Sequence, residues 1–251
     1  MTVALLIAHP GHELRVHGWI ERERPIVYVI TDGSGSRQEP RIESTRRLLV
    51  AAGARPGPVF GRLKDVELYR ALLWGDHRPF VELFEEVAAS ALQEGVRVLA
   101  ADAAEGYNPA HDVARLLANA VAGHCARGGF PVESLAFPLE AAPGAGTGAV
   151  AVSLALDDLA FARKLAAARA YAAMSHEVDC ALAGHGEDEF RVETLRRADP
   201  GFDLAALHGP APYYERFGER RVAEGVYSEV VRFRAHLEPL AARLEALAAR
   251  G

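Results

Sequence analysis

Cysteine is almost absent: the chain has two in 251 residues, Cys125 and Cys180, far apart and both in segments with helical patterning. That excludes a disulfide framework and, with no C-x-x-C, a thiolate zinc ribbon, and it suits reduced thiols in a cytoplasm. Positive charge is not in excess either. Lys+Arg number 28 against Asp+Glu 34, a formal charge of -6 with no basic cluster along a face, so a nucleic-acid partner is not expected. No apolar stretch approaches the roughly 18 residues of a membrane span. Met1 leads straight into a short apolar run without a basic segment or a long hydrophobic one, so a soluble cytoplasmic protein is expected. A phosphate-cradling glycine loop is also missing after the first strand. The glycines at 144, 146 and 148 precede the strand-like Ala149-Val150-Ala151-Val152 rather than a helix, which argues against a dinucleotide site.

Hydrophobic residues make up 50% and charged residues 25%, enough apolar material for a large core in one α/β domain. Continuous apolar runs at 3–8 and 25–30 read as strands buried on both faces, with further strands at 96–100 and near 134–138 and 150–154. Helical spacing appears at 41–52, 79–94 and 111–127, and from 157 to about 174. Alternating strand and helix predict a Rossmann-like fold, a mainly parallel sheet with flanking helices, in a single domain over 1–251. The chemistry-bearing segments fall within about 1–140. From about 170 onward the pattern is less regular, and a clear helical rhythm returns only at 219–249, with Pro239 inside it.

The first strand ends in His9-Pro10-Gly11-His12-Glu13, two imidazoles three residues apart at the strand edge where open α/β sheets bind ligands. A third histidine follows the strand at 96–100, in Asn108-Pro109-Ala110-His111-Asp112. Spacing alone leaves a metal site and ordinary loop histidines both open. Ala8-His9-Pro10-x-x-Glu13 resembles the Ala-His-Pro-Asp-Asp-Glu signature of the PIG-L/LmbE-like N-acetylglucosaminyl deacetylases, and Asn108 to Asp112 is similar to that family's His-Pro-Asp-His motif. The turn Thr31-Asp32-Gly33-Ser34-Gly35, followed by Arg41 and Glu43, resembles the family's second-strand turn and its Arg/Glu-bearing helix. The likeness covers roughly residues 3 to 121.

The resemblance implies a divergent member in which His9, His12 and His111 hold Zn(2+) or another divalent transition metal, His12 standing where the family has an aspartate ligand. It also implies a metal-dependent hydrolase that removes an N-acyl group, N-acetyl in the first instance, from a small amino-sugar-like substrate. Two positions depart: Gly11 replaces the aspartate that acts as general base, and Asn108 the histidine that assists the tetrahedral intermediate. Asn108 retains a donor for an oxyanion. Asp32 and Glu105 are the first candidates for a replacement base because their loops lie at the same sheet edge, ahead of Glu13 and Asp112. Arg41, and Tyr213 in the aromatic segment 211–217, are candidates for substrate contact. A catalytically degenerate metal- or glycan-binding protein is the competing expectation, and self-association is compatible with either.

Overall fold

The computed structural model describes residues 1–35, 38–198 and 211–250; His208, a histidine outside any motif, lies outside these residues. The first half runs β1 (Thr2–Ile7), α1 (His17–Glu23), β2 (Ile26–Thr31), α2 (Ile42–Ala51), β3 (Arg55–Leu63), α3 (Asp65–Leu73), α4 (Arg78–Gln93) and β4 (Val96–Asp102). The second half runs α5 (Pro109–Arg127), β5 (Glu133–Phe137), β6 (Val150–Ala155), α6 (Asp158–Ala170), α7 (Ser175–His185), β7 (Val192–Arg197), α8 (Tyr213–Ala223) and α9 (Glu238–Ala248).

The strands form one sheet of order β3-β2-β1-β4-β5-β7-β6, parallel from β3 to β5, with β7 antiparallel to both β5 and β6. This is the expected α/β architecture. Alternate residues of the central strands feed two cores, as the two-residue period of a strand requires. Ala4, Leu6 and Ile30 pack with Phe84, Leu117 and Leu244 on one face. Leu5, Ile7 and Val29 pack with Trp19, Leu49 and Ala168 on the other. The order reverses between β1 and β4, so the connections that leave their carboxyl ends turn to opposite faces and leave a crevice, which is where ligands enter a doubly wound sheet.

Three features differ from the sequence reading. β3 carries Pro56, Pro58, Gly57 and Gly61, residues that read as loop; it survives as an edge strand, paired only to β2 and with two register shifts. The rhythm at 219–249 is not one helix: α8 stops at Ala223 before Gly225, which has φ 72°, and a π-helical turn at Phe233–Leu237 leads into α9 with Pro239 in its first turn. The helix expected from 157 to about 174 ends at Ala170, and a separate 3-10 turn holds Met174. No described helix is long and apolar enough to cross a membrane, and both cysteines are free thiols.

Two buried polar clamps hold the layers. Arg115 of α5 donates to the carbonyls of Asp102 (3.0 Å) and Leu135 (2.9 Å), tying the helix to β4 and β5. Glu193 of β7 is almost completely buried and accepts from the amides of Gly18 (2.8 Å) and Trp19 (2.7 Å) and from Lys164 Nζ (2.8 Å). Lys164 of α6 also donates to the Arg15 carbonyl (2.9 Å), so one pair joins α6, β7, α1 and the turn after His12.

Removing one partner of such a pair leaves a buried charge uncompensated, which costs about 3–5 kcal/mol. Glu193→Leu is expected to lose about that much in urea unfolding, whereas Glu193→Gln, which keeps an acceptor for one of the two amides but no counter-charge for Lys164, should lose somewhat less. A Glu193→Leu protein as stable as the parent would refute this role.

Candidate functional site

The site is built at the β1/β4 crevice. His9 and His12 lie just beyond β1, on a turn made possible by Gly11, whose φ of 107° lies in the left-handed region and starts the 3-10 turn His12–Val16. His111 enters from the first turn of α5. The three imidazoles converge edge to face, with ring centres 5.3 Å apart for His9 and His12, 5.6 Å for His9 and His111, and 4.6 Å for His12 and His111.

Two of the rings have their protons assigned by acceptors beneath them. Thr31 Oγ1 gives its own proton to the Ala8 carbonyl, so it accepts from His9 Nδ1 (2.7 Å), and Asp65 Oδ1 stands 3.0 Å from the same nitrogen. Asp102 Oδ2 accepts from His12 Nδ1 (2.8 Å) and from the Ala8 amide (2.8 Å). Each arrangement leaves the Nε2 lone pair free, the pattern by which carboxylates orient metal-binding imidazoles. Burial pushes the Asp102 carboxyl up to about 6, against the pull of His111 and the Ala8 amide. For Asp65, burial acts upward, but His9, Thr31 and the Gly35 amide together outweigh it, and its carboxyl stays well below the usual range. Burial, reinforced by the neighbouring imidazoles, lowers both His12 and His111, so both are neutral and able to offer a lone pair. His111 Nδ1 is buried without a hydrogen-bond partner.

The other expected residues separate into two groups. Asn108 lines the cavity and caps α5: its Oδ1 accepts from the Ala110 amide (2.9 Å) and Tyr69 OH (2.9 Å), which leaves the NH₂ as its unused group. Arg41 also lines the cavity, with its Nε buried and unpartnered. Asp32 and Glu105 share the sheet edge but not the cavity. Asp32 accepts from the Ser34 amide (2.9 Å), and Glu105 accepts from three successive amides, Leu139 (2.8 Å), Glu140 (3.0 Å) and Ala141 (2.9 Å). Glu13 is fully buried, pushed up to about 7 by burial, and bonds Thr45 and the Gly11 amide. Asp112, also raised by burial to about 7, accepts from the Gly106 amide. Tyr213 stands behind Tyr107, the two rings stacked at 4.7 Å, and Tyr107 is the one that lines the cavity. The Tyr214 amide donates to the Gly106 carbonyl (3.3 Å), fastening the same loop to α8.

The cavity has a volume of about 580 Å³, within the range of small-molecule sites. Sequence reasoning missed Arg15, Glu140, Lys164 and Met174, which line it together with His176 and His185 of α7. It also missed Asp65 and Asp102. An acidic residue closing the apolar run of β4 was a usable signal for Asp102; Asp65 had none, since it follows the unrecognised β3. Met174 occupies the space over Gly11: a Cβ built there would lie 1.9 Å from its sulfur.

An imidazole nitrogen bound to zinc at about 2.1 Å puts its ring centre roughly 3 Å from the ion, so two rings at a tetrahedral angle stand about 5 Å apart. The observed ring separations match that spacing. Among the described residues, however, no group of three or more His, Cys, Asp or Glu is placed so that it could hold a metal ion as the side chains stand. The protein gathers the rings without drawing their nitrogens to one point.

No family model matches the chain, and no curated protein matches it in sequence. Its fold is similar to solved structures of low identity. A zinc-inhibited form of the teicoplanin deacetylase Orf2 superposes with a TM-score of 0.52 at 13% identity, over 78% of this chain and 99% of that one. The A40926 pseudoaglycone deacetylase Dbv21 gives 0.50 at 16%, over 79% and 99%. The conserved protein TT1542 from Thermus thermophilus gives 0.50 at 19%, over 80% and 96%. At these identities the likeness establishes a shared α/β fold.

Proposed function

We propose that the chain is a divergent PIG-L/LmbE-like hydrolase that removes an N-acyl group from an amino-sugar-like substrate, with His9, His12 and His111 holding a divalent metal, zinc in the first instance. The observation that carries it is the clustering of three imidazole rings at the β1/β4 crevice, two of them with Nδ1 fixed by Thr31 and Asp102. The likeness in fold to proteins described as deacetylases lends support. When bound, the metal would supply Lewis acidity and make water nucleophilic near neutral pH. The chain's own part is to orient the imidazoles through Thr31, Asp65 and Asp102, to offer the Asn108 amide NH₂ to the developing oxyanion, and to hold polar substrate groups with Arg41. Asp32 and Glu105 have no place in this proposal, because neither lines the cavity and both bond backbone amides.

A second reading, a metal- or glycan-binding protein without turnover, is favoured by Gly11. The base of the resembled family belongs there, yet the space is filled by the Met174 thioether, which cannot take a proton.

Purified protein is expected to retain about one transition metal per chain by elemental analysis, and the paired variant His9→Ala/His111→Ala to lose it. Full retention would remove the ligand assignment. Amine release from N-acetylglucosaminides by metal-loaded protein separates the two readings: turnover supports the first, and sugar binding without turnover the second. Given turnover, Asn108→Asp keeps an acceptor for the Ala110 amide but loses the NH₂, so kcat should fall about 10²-fold or more with little change in melting temperature. An unchanged kcat would exclude the donor role.

Gly11→Asp is not expected to restore a base. A side chain at positive φ costs about 1–2 kcal/mol and overpacking against Met174 about 1–3 kcal/mol more. The variant should therefore melt at a lower temperature without a gain in rate. A faster enzyme of native stability would contradict this.

A further inference from the structure

One cavity-lining cation is not used by the chemistry above. Arg15 lies in the 3-10 turn His12–Val16, its carbonyl held by Lys164 Nζ (2.9 Å) and its guanidinium set over the Phe190 ring at 5.0 Å. Its Nη1 is buried with no hydrogen-bond partner. Lys164 lines the same cavity, but its ammonium is committed to Glu193 and to the Arg15 carbonyl. Glu105 and Glu140 attract Arg15 only at longer range, and Glu105 has already given its oxygens to three amides. The surrounding walls include Leu139, Leu165, Val178 and Leu182.

A guanidinium stacked on an aromatic face keeps its edge free for a planar two-oxygen partner. Against apolar walls such a charge-assisted bond is strengthened, while an unpaired donor is costly. Lys164 is neutralised by Glu193, Arg41 is given to other polar substrate groups in the hydrolytic reading, and Glu140 lies in the vicinity, so the one charge that Arg15 adds suits a monoanion better than a phosphate dianion. We propose that Arg15 recognises a carboxylate, so that the site accepts an N-acylated sugar-like compound carrying a carboxylate-bearing substituent; this rests on the same cavity being the substrate site of the hydrolytic reading.

The test is calorimetric binding to the full-length native protein with matched probes. One pair is N-acetylglucosamine and N-acetylmuramic acid, the same sugar with a carboxylate-bearing ether. The other is the phenyl and 4-carboxyphenyl N-acetylglucosaminides. At least one acid is expected to bind about tenfold or more tighter than its neutral partner, and Arg15→Met to bring the two within about threefold. Arg15→Gln serves as the second variant if Arg15→Met does not fold, and the native comparison needs no variant. Equal binding within both native pairs, or a preference that survives the Arg15 substitution, overturns the inference, as does N-acetylglucosamine 6-phosphate binding tighter than either acid. Amine release from the neutral sugar with no acid preference sinks this inference and leaves the hydrolytic reading standing. An Arg15-dependent preference with no amine release from any probe does the reverse.

Discussion

The Asp102 carboxylate, closed off from water at the carboxyl end of β4, accepts from the amide that follows β1 and from the imidazole of His12. One oxygen thus bridges the two strands at the point where the sheet reverses and sets the proton on a candidate ligand. A buried carboxylate in that place is costly unless its partners are supplied, and the backbone supplies them only if β1 and β4 are in the observed register. Arg115 secures the same strand end from the other side through the Asp102 carbonyl. Fold and site are therefore one hydrogen-bonded unit, and His9 and His12 take their orientation in part from the strand residues Thr31 and Asp102.

The loop that carries His9 and His12 is organised around an absent side chain. Gly11 makes the tight left-handed turn, its amide goes to Glu13, and Glu13 in turn receives the Thr45 hydroxyl. Tyr171 bonds Thr45 and the Arg41 carbonyl, and three residues later Met174 closes over the glycine. The chain between α6 and α7 is thereby attached to the floor of the cavity. Where the resembled family has an acid, this protein has a thioether and an apolar wall, which changes both the proton chemistry and the kind of group that fits.

What the sequence made legible follows from how locally each signal is written. β1 and β2 announce themselves as apolar runs and β4 nearly so, which makes the architecture legible; His9 and His12 sit where the first run ends, but His111 lies in the first turn of α5, and it is the resemblance of the motifs that groups the three. β3 does not announce itself, because its prolines and glycines are tolerated only by virtue of its place at the sheet edge. Asp32 and Glu105 illustrate the limit best. Sequence order puts them on the correct edge, but which way a carboxylate turns there depends on the amides of residues 34 and 139–141, and both turn toward backbone. Arg15, Lys164 and Met174 reach the cavity only through tertiary packing of α6 and the segment after it.

The stacking of Tyr107 on Tyr213, with the Tyr214 amide on the Gly106 carbonyl, has a bearing on how the protein is made. The loop leading to Asn108 and His111 is fastened to a helix roughly a hundred residues downstream, a contact of high sequence separation whose loop-closure entropy must be met before it forms. During synthesis β1 to β5 leave the ribosome before α8 does, so this fastening is among the last contacts the chain can make. A nascent chain stalled before α8 has left the ribosome would carry the three histidines while the loop at Gly106 and Tyr107 is still unfastened.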